Sequence, residues 1–197
     1  MSRSPLSRLA ALSLVAVLAA ALASGCSSSD EEPKAKPDVP KGFSVPAGVT
    51  LTDAGSTVPV GRTATVVYDP GGAASAVSVR IDSAKKGRIS DFRFFSLDAS
   101  TKRSTPYYVR ATVKNQGPAG LGGATVPLYL HSNANTVYPP NELVGTFKPC
   151  PDATLPKSFL PEASAKVCLV YLVPKGQKLE SIDLQPADAK DAVRFTP

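Results

Sequence analysis

The chain has no tryptophan, one methionine, one histidine and three cysteines in 197 residues. Haem, blue-copper and multi-histidine metal centres need imidazole or soft sulfur ligands in number, so this inventory counts against them. A triad with histidine as the base is open only through His131. Charge is sparse: 19% of residues are charged, below the roughly 25% usual for soluble domains. Glycine and proline number 14 and 19, together short of the ~25–30% that marks disorder. What remains is a chain that can fold, with a length that suits one domain, two at most.

The first 25 residues read as an export signal. Met1 to Arg8 carries Arg3 and Arg8 and no acid, and Leu9 to Leu22 is a predominantly apolar run of 14 residues. A bilayer crossing takes about 20 residues, so the run fits the core of a secretory signal instead. It ends in Leu22-Ala23-Ser24-Gly25-Cys26. This resembles the lipobox of bacterial lipoproteins, in which the cysteine thiol is alkylated by a diacylglycerol and cleavage leaves that cysteine first. The resemblance implies a lipid anchor on Cys26, with its acyl chains holding the protein to the extracytoplasmic face of the cell membrane. Residues 26–41 then form a tether. Ser27 to Lys41 is rich in proline and charge and has no apolar periodicity, so it cannot bury enough surface to offset chain entropy. Fully extended, its 15 residues would reach about 50 Å at ~3.3 Å each.

With Cys26 lipidated, Cys150 and Cys168 remain as an even pair in an oxidising compartment. The expectation is a disulfide between them, closing a loop worth on the order of 3 kcal/mol in the chain-entropy model. Two sulfurs and a histidine remote in sequence do not make a metal site. The reading therefore expects no metal and no cofactor.

From residue 42 to 197, period-2 patterns dominate. Arg62–Tyr68 is rich in Thr, Val and Tyr, and Ala76–Asp82 puts Val77, Val79 and Ile81 on one side. Tyr107–Lys114 sets Tyr107, Val109, Ala111 and Val113 against Tyr108, Arg110, Thr112 and Lys114. Thr125–Leu130 and Lys166–Val173 alternate too, the latter placing Val167, Leu169, Tyr171 and Val173 on one face. Leu179–Leu184 and Ala192–Phe195 are shorter candidates. These predict half-buried strands with one wet face. Turn signals such as Asp69-Pro70-Gly71-Gly72 and Pro174-Lys175-Gly176 separate them. Seven to nine short strands and no sustained helical period predict an all-β fold, an antiparallel immunoglobulin-like β-sandwich. The stretch from His131 to Lys166 reads as one long connection, to be stapled by the disulfide.

The run Tyr107-Tyr108-Val109-Arg110-Ala111-Thr112-Val113-Lys114-Asn115-Gln116-Gly117 resembles the central strand and turn of a bacterial family. Its members are secreted or lipid-anchored domains with a telokin-like immunoglobulin fold, similar to the mycobacterial immunoprotective extracellular antigen. Tyr171 to Gly176 and Leu179 to Leu184 resemble its later strand, turn and short strand, and Lys85 to Phe95 matches loosely. The resemblance spans roughly residues 60–196. It implies the sandwich fold and carries no catalytic residue across. The cysteine pair and the proline-rich loop depart from the family's pattern.

Candidate chemistry is thin. His131 follows an apolar strand, with no nucleophile-elbow motif in the chain, and reads as a strand-end polar residue. Asp188 and Asp191 read as a solvated turn rather than a hydrolase pair. The informative feature is charge. Between Ser83 and Thr105 lie Lys85, Lys86, Arg88, Arg93, Lys102 and Arg103 against Asp91 and Asp98, a surplus of four. After removal of residues 1–25, 20 basic and 16 acidic residues remain, so this stretch holds the whole surplus. Phe92, Phe94 and Phe95 interleave with it, as core plugs or as a ligand platform. Export excludes nucleic acid as the natural partner. The candidates are an envelope protein, an anionic envelope polymer or membrane headgroups. A solvated basic edge that prevents strand-to-strand pairing accounts for the same run. The expected role is a non-catalytic, lipid-anchored binding domain at the bacterial envelope. The alternative is a lipoprotein carrying a lipid or small apolar ligand between its sheets.

Overall fold

A computed structural model describes residues 36, 37 and 39–197. The export segment and Cys26 lie outside the described residues. Among the described residues there are nine strands, with two short 3-10 turns between the third and fourth and one before the last: β1 (Thr57–Pro59), β2 (Thr63–Tyr68), β3 (Ser75–Lys86), β4 (Thr105–Pro118), β5 (Leu128–Ser132), β6 (Val137–Tyr138), β7 (Ser164–Val173), β8 (Leu179–Leu184) and β9 (Val193–Thr196). They form a β-sandwich. One sheet runs β1-β9-β8-β5-β6 and the other β2-β3-β4-β7. Neighbours pair antiparallel except β1 and β9, the first and last strands, which pair parallel.

Alternation explains the main core. Val77, Val79 and Ile81 of β3, Val109, Ala111 and Val113 of β4, and Val167, Leu169, Tyr171 and Val173 of β7 all face the other sheet. Leu128, Leu130, Ile182, Leu184, Val193 and Phe195 meet them from that sheet. Tyr171, fully buried, gives its hydroxyl to the Leu128 carbonyl at 2.8 Å, and burial raises its pKa above that of a phenol in water.

Three expectations about boundaries need correction. The strand expected at Thr125–Leu130 begins only at Leu128 and runs to Ser132. Pro127 has no N–H for a ladder, and the Leu128 N–H closes a tight turn onto the Val126 carbonyl at 2.8 Å. β3 and β4 run past the expected Asp82 and Lys114 to Lys86 and Pro118. A register shift between Ile81 and Ser83 accommodates the extra length. The connection expected from His131 to Lys166 is shorter, because β6 and the start of β7 lie within it.

The outer face of the β2-β3-β4-β7 sheet is not wholly wet. Tyr108, Cys168 and Val170 point outward from β4 and β7, yet they are buried with Phe92, Phe147 and Cys150 in a second, smaller core. The covering comes from two segments between strands. Residues 87–104 fold back over the sheet, and the 139–153 segment runs along the free side of β7. Asn141 donates its N–H to the Val170 carbonyl and accepts the Leu172 N–H on its side chain, both at 2.7 Å. Cys168 donates to the Asp152 carbonyl, also at 2.7 Å. The Cys150–Cys168 disulfide bonds loop to strand across a Cα separation of 5.1 Å.

Candidate functional site

The basic stretch forms one end of the four-stranded sheet. β2 pairs with β3 only over Ser75–Arg80, so the later part of β3 is an overhang that pairs with β4 alone. Lys85 and Lys86 end that overhang opposite Tyr108 and Tyr107. The next residue, Gly87, lies flat against the Tyr108 ring: a Cβ there would sit 2.5 Å from its Cζ. With no side chain in the way, the chain turns back over the sheet, and its N–H donates to the Pro106 carbonyl at 2.8 Å.

The short 3-10 turn Ile89–Phe92 follows, with Arg88 before it and Arg93 after it. It seats Phe92 against Phe147 in a stack with ring centres 4.5 Å apart. Asp91 binds downward and sideways. It accepts the Tyr108 hydroxyl at 3.0 Å and pairs with the Arg88 guanidinium at 3.6 Å. Burial, then the Asp91 carboxylate, pushes the Tyr108 phenol well above its ordinary pKa. Asp98 organises the second turn, Thr101–Arg103. It accepts the Ser100 hydroxyl, the Thr101 hydroxyl at 2.5 Å, and the N–H groups of Ser100 and Thr101 at 2.7 and 3.0 Å. These hydrogen bonds, the Ser100 hydroxyl foremost, hold its carboxyl far below the usual range.

Both acids of the stretch are thus engaged mainly by neutral donors, and the cations face water. Lys85, Lys86, Arg88, Arg93, Lys102 and Arg103 are all exposed. Among the described residues, Arg88 alone of the six has an ion-pair partner. Arg93 instead stacks on the Phe94 ring, its guanidinium carbon 4.6 Å from the centroid. The phenylalanines divide: Phe92 is buried, Phe95 half-buried against it, and Phe94 83% exposed. An edge guard accounts for Lys85 and Lys86 on the overhang. It does not account for the other four, which lie outside any strand.

His131 is within β5 rather than beyond it. Its Nδ1 lies 3.1 Å from Asp183 and its Nε2 3.0 Å from the Asn135 side-chain oxygen. The Ser181 hydroxyl donates to the other Asp183 oxygen at 2.6 Å, and Arg194 approaches at 3.8 Å. His131 and Ser181 line a polar cleft, while Asp183 is buried and does not line it. The hydroxyl, however, binds the acid rather than the imidazole, so it lacks the base contact that activates a nucleophile. Asp188 and Asp191 flank Lys190, whose ammonium lies 3.5 and 2.6 Å from them. Asp188 is exposed as expected, while Asp191 is buried, so the turn is only half solvated. Among the described residues no group of three His, Cys, Asp or Glu side chains is placed to hold a metal ion.

Two spaces bear on ligand binding. The void between the sheets, lined by Val66, Tyr68, Val79, Val113 and Leu184 among others, has about 10 Å3, roughly one water's worth. An outer cleft of about 550 Å3 lies between the 125–129 and 139–143 segments. Its Tyr68 hydroxyl is spent on the Thr125 carbonyl and its Asn141 oxygen on Leu172. None of the six cations lines it.

No protein-family model matches the chain, no curated protein matches its sequence, and no solved structure matches it.

Proposed function

We propose that this chain is a lipid-anchored, extracytoplasmic binding domain of the bacterial cell envelope, non-catalytic, whose basic end engages an anionic partner. The observation that carries this reading is the exposed group of six cations at one end of one sheet, borne by the end of β3 and by two short turns, the first of them packed on an aromatic core. Rigid presentation lowers the ordering entropy that a partner's binding would otherwise have to overcome. The sequence supports the rest: a lipobox ending at Cys26, a polar tether, and a resemblance to secreted telokin-like domains. A carrier holding a lipid between the sheets would need hundreds of Å3, against the roughly 10 Å3 present there.

The test is retention by a soluble polyanion. The domain from residue 36 onward is applied to immobilised long-chain polyphosphate at 50 and 300 mM salt. Strong, salt-sensitive retention is expected. It should be lost when Lys85, Lys86, Arg88, Lys102 and Arg103 are changed to Ser. Retention that survives the five substitutions, or none at low salt, sinks the reading of the basic end. Labelled fatty acid should enter the full chain in a lipoprotein-processing host, and Cys26→Ala should abolish that incorporation. Labelling that persists in the variant would refute the anchor.

A further inference from the structure

We infer that the basic end docks on the anionic surface of a lipid bilayer, with Phe94 and Val144 entering the interface between headgroups and acyl chains. This rests on the proposed reading of that end as a binding surface and names its partner.

Phe94 and Val144 are 83% and 95% exposed, whereas the remaining exposed large hydrophobics lie between 37% and 59%. Single exposed apolar residues are ordinary; these two share a mounting. Phe94 is two residues from Phe92, Val144 is three from Phe147, and Phe92 and Phe147 form the 4.5 Å stack that ties their segments together. Leu143 and Phe95, beside the two tips, pack on the same small core. The disulfide fixes the second segment to β7 three residues beyond Phe147. Each exposed apolar side chain is therefore carried by a segment packed on the small core, and the Phe94 segment also carries Arg88, Arg93, Lys102 and Arg103.

The ground around them is cationic. Arg88, Arg93, Lys102, Arg103 and the exposed Lys148 belong to these two segments. With Lys85 and Lys86 at the end of β3, the cations outnumber the acids of the two segments: Asp91 and Asp98 are already engaged, and Glu142 and Asp152 are exposed. A soluble polyanion uses cations alone and gains nothing from an exposed phenyl ring. A protein partner of ordinary affinity needs a contiguous complementary face. Isolated apolar tips on a basic ground suit a bilayer interface, where apolar groups insert ~5–10 Å and cations meet phosphates. Arg93 on the Phe94 ring is suited to this: its stem can follow the ring while its guanidinium reaches a phosphate. Each cation near an anionic surface adds to the attraction. Docking by a domain tethered through Cys26 would be intramolecular, so a weak free affinity suffices.

The experiment uses residues 36–197, which hold both cores and the disulfide and lie within one compact unit, so no acyl chain dominates the binding. Partitioning onto phosphatidylglycerol–phosphatidylcholine vesicles is measured by sedimentation, beside pure phosphatidylcholine and soluble polyphosphate. The chain has no tryptophan, so Phe94→Trp installs a lone reporter at an exposed position that the fold does not need. Expected are partitioning onto the anionic vesicles only, a blue shift of the Trp emission on those vesicles, and none with polyphosphate. Phe94→Ser should reduce partitioning roughly tenfold, the factor that ~1.4 kcal/mol of lost apolar burial gives. Val144→Ser should reduce it severalfold. Polyphosphate binding together with no blue shift and no effect of Phe94→Ser overturns bilayer docking but leaves the anionic-partner reading standing. No binding to vesicles or polyphosphate overturns both.

Discussion

The sandwich holds two cores of different origin. The one between the sheets comprises 22 buried residues, and three of them, Phe159, Tyr171 and Phe195, are aromatic. The one on the outer face of the β2-β3-β4-β7 sheet comprises six, and Phe92, Tyr108 and Phe147 make half of it. The large core is mostly Val, Leu and Ile delivered by strand alternation. The small one is assembled from two non-strand segments, a disulfide and the outward residues of β4 and β7. A few large rings cover a surface that aliphatic strands would need many residues to cover. The large core holds the sheets together, and the small one seats the 89–97 stretch beside the basic β3 end.

Matched truncations set the two cores against each other most sharply. Phe195→Ala should cost about 3–5 kcal/mol of global stability, read as a loss of urea midpoint. Phe92→Ala removes the same ring, equally buried. It should move that midpoint less than half as far and instead speed amide exchange across residues 89–104, because the small core can open while the sheets stay packed. Equal midpoint shifts would make the two cores one cooperative unit. Next in size is the disulfide. Cys150→Ala with Cys168→Ala should lower stability by about 3 kcal/mol and loosen the 139–153 segment in hydrogen exchange. Unchanged exchange there would mean that the Asn141 and Asp152 hydrogen bonds suffice without the bond.

A titration probes both cores at once. Tyr108 and Tyr171 both have raised pKa values in the fold, so each favours the folded state while it is neutral. That stability is fully present below the unfolded phenol value of about 10 and is lost as pH rises through the folded values. Tyr108→Phe should cost about 1 kcal/mol at neutral pH for the Asp91 hydrogen bond and make the alkaline loss shallower. A steeper or unaltered alkaline profile would refute the assignment to Tyr108. The smallest effect belongs to Asp98, which is exposed and has a lowered pKa. Its contribution is present above the usual carboxylate range and lost as pH falls below it. Asp98→Ala should speed exchange at Ser100 and Thr101 and leave the urea midpoint almost unmoved. No change in exchange would mean that the turn stands without its carboxylate.

Part of this was legible in the residues. β8 matches its expected bounds, Leu179–Leu184, and the inward faces of β3, β4 and β7 match the alternation residue for residue. The cysteine pairing followed from parity once Cys26 was set aside, and the six cations stood out as charge alone. The start of β5 was misread because Val126 and Leu128 keep the alternation while Pro127 breaks the ladder. Leu121, Leu155 and Phe159 were missed as core residues, since they sit in loops with no period to mark them.

Periodicity, parity and composition therefore located seven of the nine strands, their inward faces and the disulfide, because each is a property of nearby residues along the chain; β1 and β6, three and two residues long, are too short to show a period. The second core and the anchoring on it of the segments that carry Phe94 and Val144 were decided only in three dimensions. They depend on Phe92 meeting Phe147 across 55 positions of sequence. Nothing local distinguishes a phenylalanine that stacks on another segment from one left in water. Phe92 and Phe94 stand two residues apart in the same run, one 1% exposed and the other 83%, and only the far segment separates their fates.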